Sequence, residues 1–95
     1  MMMPRINLNG TNPHELHQQY LDALRDLEDA IETVRKLDIH GRDYQTLPVG
    51  SYAVAMAEHR TRLTRLNRVR NELYQIISDL DRQMRERARS GGHDD

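Results

Sequence analysis

Apolar residues recur at three- and four-residue steps over two stretches of this chain, and a polar, breaker-rich segment separates them. In the first stretch Leu16, Tyr20, Ala23, Leu24, Leu27, Ala30, Ile31, Val34 and Leu37 follow helical spacing. Tyr20, Leu27 and Val34 lie seven apart, with Ala23, Ala30 and Leu37 three residues after each, a heptad seam that Leu24 and Ile31 widen. The two alanines permit close approach of a neighbouring helix. Asn12 is a capping residue, Pro13 suits the first helical position and Glu15 occupies the capping-box position. Gly41 is a natural stop. These features predict a helix over 13–39.

The second stretch opens with Ser51 as N-cap and a run of small residues, Ala53, Val54, Ala55, Met56 and Ala57, suited to tight packing. Its seam continues through Leu63, Leu66, Val69, Leu73, Ile76, Ile77, Leu80 and Met84, fades into Arg85–Arg89 and stops at Gly91-Gly92. A helix over 52–89 is predicted. Residues 40–51 form the connection, longer than the roughly 2–8 residues usual between helices, with apolar content of its own in Tyr44, Leu47 and Val49. Residues 1–12 read as a flexible arm. Ile6 and Leu8 alternate with Arg5, Asn7 and Asn9 over too short a run to be a strand alone, and docking on a partner is the alternative. Residues 90–95 read as a disordered tail.

The expected fold is all-α: two long antiparallel helices forming a helical hairpin. Two helices cannot enclose a core, so a four-helix bundle or larger oligomer is expected to complete it. The second helix exceeds the first by roughly ten residues, or ~15 Å, and its overhang is expected to leave apolar surface around Leu73 to Met84. The residues expected to carry assembly are Leu27, Ile31, Val34, Leu63, Leu66, Leu73, Ile77, Leu80 and Met84.

Composition narrows the class. The chain has 95 residues, 37% of them apolar, no Trp, no Phe and no Cys. One small domain with so thin an apolar supply is marginal unless it oligomerises. The absence of cysteine removes disulfides, thiolate metal sites and cysteine nucleophiles, and fits a reducing, intracellular setting. No apolar run approaches the ~20 residues of a membrane span, and Met1-Met2-Met3-Pro4-Arg5 lacks the apolar core of a signal peptide. No membrane partner is expected.

Net charge is −1, but it divides unevenly. Residues 13–39 carry seven acids and three bases, and residues 52–89 carry five acids and nine arginines. Opposite charge on the two arms is expected to favour the hairpin over pairing of like helices. Arg62, Arg65 and Arg68 lie three apart, flanked by Arg60 and Arg70. A solvated or internally paired face is the plainer reading; contact with a nucleic acid or other anionic partner is the alternative.

Candidate chemistry is sparse. His14 and His17 are three apart at a helix start, not four apart as a zinc-protease helix requires, and lack a third ligand. His59 falls at the seam edge, where a packing role is expected. No nucleophile–base set and no phosphate-binding glycine loop is present, so no enzyme activity and no cofactor is expected. Arg42, Asp43 and Tyr44 present a polar loop surface.

The run His40-Gly41-Arg42-Asp43-Tyr44, followed by Ala57-Glu58-His59-Arg60-Thr61-Arg62-Leu63, resembles small helical-hairpin proteins encoded by tailed phages and prophages of proteobacteria, over residues 13–80. The departures are Gln45 where a second aromatic would follow Tyr44, and the Arg-rich C-terminal stretch. The resemblance implies no catalytic residues. It implies a virion assembly factor, connector or small structural component, located in the host cytoplasm or the virion and contacting other phage or host proteins. A phage-encoded inhibitor of a host protein, using the acidic first helix, and a nucleic-acid-associated factor using Arg60–Arg70 are the alternatives.

Overall fold

The computed structural model describes residues 1–93, with side chains as far as Arg89. It holds α1 (Pro13–Arg35), a short 3₁₀ helix (Gly41–Tyr44) and α2 (Ser51–His93), and among the described residues there is no strand. The start of α1 lies beside Met84, Arg87 and Ala88, and its last turns lie beside Leu63, Asn67 and Arg70. The helices therefore run antiparallel. The molecule measures 73 × 20 × 19 Å, and its radius of gyration is 20.6 Å, against roughly 12 Å for a compact domain of this length. It is a rod two helices thick.

The start of α1 is built as its sequence indicates. Asn12 Oδ1 accepts from the backbone N–H of His14 at 2.9 Å and of Glu15 at 3.4 Å, and Pro13 fills the first helical position. The end comes earlier than expected, at Arg35 rather than residue 39. Lys36 N–H turns back to the carbonyls of Glu32 and Thr33, and Leu37 N–H to that of Val34, a tightened last turn that satisfies the terminal carbonyls without a glycine. The chain then extends, reaching β geometry at His40, and a 2.6 Å contact between His40 and Asp38 holds the exit.

The connection consequently spans 36–50. Gly50, at φ +93°, turns the chain into α2, and its carbonyl accepts from Val54 N–H at 3.1 Å. Gly50, not Ser51, is thus the residue before the first helical turn; Ser51 Oγ instead donates back to Pro48 O at 2.7 Å. At its far end α2 continues through Gly91-Gly92 to His93. Glycine disfavours a helix interior by about 1 kcal/mol without forbidding it, and Arg85–Arg89 leads in with strong helix formers. Residues 90–93 are therefore helical rather than a disordered tail; the remaining two positions of that expected tail lie outside the described residues.

The seam follows heptad spacing on both helices. On α2 it runs Met56, His59, Leu63, Leu66, Arg70, Leu73, Ile77, Leu80 and Met84, all buried or half-buried. On α1 it runs His17, Tyr20, Leu24, Leu27, Ile31 and Val34. Leu24 and Ile31, expected only to widen that seam, are its buried centre, whereas Ala23 and Ala30 are exposed. Burying a leucine or isoleucine removes more apolar area from water than burying an alanine, and the helix is rotated accordingly. The small-residue run at the start of α2 is not tightly packed either: only Ala55 and Met56 are half-buried, and Ala53, Val54 and Ala57 are exposed.

Candidate interaction surfaces

The residues expected to carry assembly lie along the seam between the two helices of the one chain. Leu80 is fully buried and Ile31 is buried, while Leu27, Val34, Leu63, Leu66, Leu73, Ile77 and Met84 are half-buried. Their partial exposure marks the open flanks of a two-helix contact.

The surface around Leu73 to Met84 is less bare than the helix lengths suggested. Because α1 begins beside Met84, α2 overhangs chiefly at its own N-terminus. The arm then crosses α2 where the second helix was expected to be uncovered. Ile6 N–H donates to Gln83 Oε1 at 2.9 Å, and Gln83 Nε2 donates to Pro4 O at 3.0 Å and to Asp79 Oδ2 at 2.8 Å. The arm, expected to be flexible, is hydrogen-bonded to α2 of its own chain. Ile6 is half-buried, whereas Leu8, which a continued extended run would place on the same face, is exposed because the chain turns at residues 8–10. Ile76 and Leu80, on the turns that the arm crosses, are among the most buried side chains of the molecule.

Asp79 is the hub of this crossing. Arg82 donates to its other oxygen at 2.7 Å and to Glu86 at 2.9 Å. Hydrogen bonds from Arg82 and Gln83, then the charges of Arg82 and Arg5, hold the Asp79 carboxyl below its ordinary value. The Arg82 guanidinium is correspondingly raised, first by its bonds to Asp79 and Glu86.

At the opposite end of the rod lies an apolar crown. Leu37, Leu47, Val49, Tyr52 and Val54 are all exposed, Val49 completely. Tyr44 and Tyr52 approach with ring centroids 6.2 Å apart and an interplanar angle of 47°. Tyr44, Leu47, Val49, Val54 and Glu58 are among the residues that line a shallow groove of about 350 Å³. Arg42 and Asp43, beside it on the 3₁₀ helix, are exposed, and Tyr44 is half-buried. The sequence offered one signal for this crown, the apolar residues inside an otherwise polar connection.

Arg60, Arg62, Arg65 and Arg68 are exposed on α2, with no acid between Glu58 and Glu72. Arg62 pairs with Glu58 at 3.4 Å. The opposite charge of the two helices does not take the form of ion pairs across the seam: every ion pair among the described residues joins positions two to four apart in the chain. Long side chains on exposed helices reach their i±3 and i±4 neighbours before they reach across a seam. Arg70 is the exception in placement. It sits in the seam, lining a cleft with Glu28 and Glu32, and its buried Nε has no hydrogen-bond partner.

His59 is buried in the α2 seam, where its register put it. Among the described residues no group of three His, Asp or Glu side chains gathers as metal ligands would. No described helix is long and apolar enough to cross a membrane. No family model, curated protein or solved structure matches the chain.

Proposed function

We propose that this chain is a non-enzymatic accessory protein acting through protein–protein contact, a small assembly or connector component of the phage type. The crown carries this reading. Five large apolar side chains stand exposed at one end of a thin rod, and none of the described residues buries them. The phage setting, and with it a place in the host cytoplasm or the virion, is supported by the resemblance of residues 13–80 alone.

Self-association belongs to the same reading. The seam is open on its flanks, and the charges suit a second copy: α1 carries six acids against two bases, α2 nine arginines against five acids, and among the described residues no ion pair crosses between them. A four-helix arrangement that sets α1 of one copy beside α2 of the other covers the flanks and brings the unlike charges together.

Light scattering after size exclusion tests the oligomer: a stable monomer of 11.2 kDa sinks it. Leu73→Asp is expected to abolish association and Arg65→Ala to leave it intact; the reverse moves the interface to the arginine face. For the crown, Val49→Asp with Val54→Asp is expected to end capture of purified virion proteins by the immobilised chain. Capture of a host protein through acidic α1, insensitive to the crown changes, would favour the inhibitor reading instead.

One observation favours a second function. The exposed arginines between Glu58 and Glu72 form an acid-free stretch of α2, and Arg60, Arg65 and Arg68 make no ion pair among the described residues. A nucleic-acid-associated role predicts binding of labelled DNA that weakens steeply with salt. Absence of such binding at low ionic strength removes it.

A further inference from the structure

Roughly 130° around α2 from the seam, at 100° per residue, runs a row of exposed residues whose two halves complement each other. Val54, Glu58, Arg65 and Val69 follow at steps of four, seven and four, so they share a face, and all four are exposed. Their order is apolar, acidic, basic, apolar. Reversed and laid on a second α2 about a two-fold axis between Thr61 and Arg62, the row matches itself. Val54 meets Val69 of the second copy and Glu58 meets Arg65 of the second copy, each contact made twice. In a parallel pair Glu58 would face Glu58 and Arg65 would face Arg65. Because α2 is basic overall, two of them repel in most registers, and this one sets unlike charges across the contact.

We infer that this face of α2 is a two-fold, antiparallel contact with α2 of a second copy. Arg65 and Glu72 form no ion pair among the described residues, and Glu58 holds only Arg62, at 3.4 Å between exposed side chains. Arg62, beside the axis, is thereby neutralised within its own chain. The floor of the face is small: Ala57 and Thr61 lie between the charged residues in a depression of about 420 Å³, and the Thr61 hydroxyl already donates to Ala57 O at 3.0 Å. The ends agree as well. About the same axis Glu72 falls opposite Ser51 of the second copy, the first residue of a helix whose first turn holds no acid of its own. The second helix therefore stops one turn short of Ile76, where the arm crosses. Of the crown this face uses Val54 alone. The inference rests on the self-association proposed above and lies apart from the seam flanks, so it joins one flank-paired unit to another.

The absence of native cysteine makes the test direct. Full-length Val54→Cys and Val69→Cys chains are treated with a short bis-maleimide, each alone and as an equal mixture. The antiparallel register predicts interchain product in the mixture several-fold above either chain alone, since like positions then stand about 22 Å apart along the axis. It also predicts several-fold more than Val54→Cys mixed with Asn71→Cys, which lies at a similar height but off the face. Adding Glu58→Arg to both chains sets arginine opposite Arg65 and should lower the product about fivefold or more; adding Arg65→Glu as well restores unlike pairs and the product. Arg65→Ala forfeits only an exposed pair and should leave association nearly unchanged. Both charged positions are exposed, and circular dichroism checks that the hairpin stays folded. Product from each chain alone, a mixture no better than the Asn71→Cys control, or indifference to Glu58→Arg overturns the inference. Light scattering on the unmodified chain then separates the failures: an oligomer leaves self-association standing with its contacts elsewhere, and a monomer refutes both.

Discussion

Gln83 donates from Nε2 to the carboxylate of Asp79, one turn earlier on α2, and that single bond decides which end of the Gln83 amide faces the arm. The two outward bonds, to Ile6 N–H and Pro4 C=O, depend on it. Replacing Gln83 by Leu keeps the bulk and deletes both. The freed backbone groups return to water as the arm lifts, so the stability lost should be small, about 1 kcal/mol, while amide exchange at Ile6 accelerates strongly. Unchanged protection at Ile6 would show that apolar contact alone holds the arm.

The same carboxylate makes the arm sensitive to acid. The Asp79 carboxyl is lowered in the folded chain by its bonds from Arg82 and Gln83. A group whose folded value is depressed stabilises the fold fully above its unfolded value, near 3.9 for Asp, and loses that contribution as pH falls through the folded value. The arm should thus remain docked from neutrality down to about pH 4 and release below it. Chemical shifts of Ile6 followed from pH 7 to 2 would report the release; a transition near pH 6 would point to a histidine instead.

Much of this fold was legible in the sequence, and its limits have physical causes. Helix spacing, the Asn12–Pro13 cap and the antiparallel hairpin follow from local chemistry and period. The ends of α1 and α2 did not, because a tightened last turn can replace a glycine stop and a glycine pair can be carried inside a helix. Register between the helices is a relation of two distant segments, and the early end of α1 shifted the overhang from Leu73–Met84 to the crown. The arm site was hidden for the same reason: Gln83 reads as a surface glutamine until residues 4–6, nearly eighty positions away, are laid against it.

Burial along the rod is concentrated, so the effects of truncation should be too. Leu80 has no exposed surface, whereas Leu37, also expected on the seam, is 58% exposed. Leu80→Ala should cost about 2–4 kcal/mol and Leu37→Ala no more than about 0.5 kcal/mol, read by thermal unfolding. Equal losses would mean that an oligomer buries Leu37 in solution.

Gly50 offers a change that acts on the backbone alone. Its φ of +93° disfavours any residue with a Cβ, and an added Cβ would meet nothing within 4 Å. Gly50→Ala should therefore destabilise the turn into α2 by about 1–2 kcal/mol through strain, with no steric contribution. Urea unfolding would show a lower midpoint at unchanged slope.

Arg70 leads to the opposite sign. It occupies a heptad position between Leu66 and Leu73, where its neighbours on the seam are apolar, and its buried Nε lacks a partner. Glu28 and Glu32 line the same cleft, yet neither forms an ion pair with it among the described residues. An arginine so placed carries a desolvation penalty with little returned, and a leucine of similar reach along the seam would remove the penalty and add apolar contact. Arg70→Leu should raise the stability of the isolated hairpin by about 1 kcal/mol. If a second copy supplies an acid to Arg70 in the oligomer, the same variant should associate more weakly even as the hairpin becomes more stable. Thermal unfolding and light scattering on the one variant read both quantities. A loss of hairpin stability would mean that Arg70 is already satisfied within its own chain.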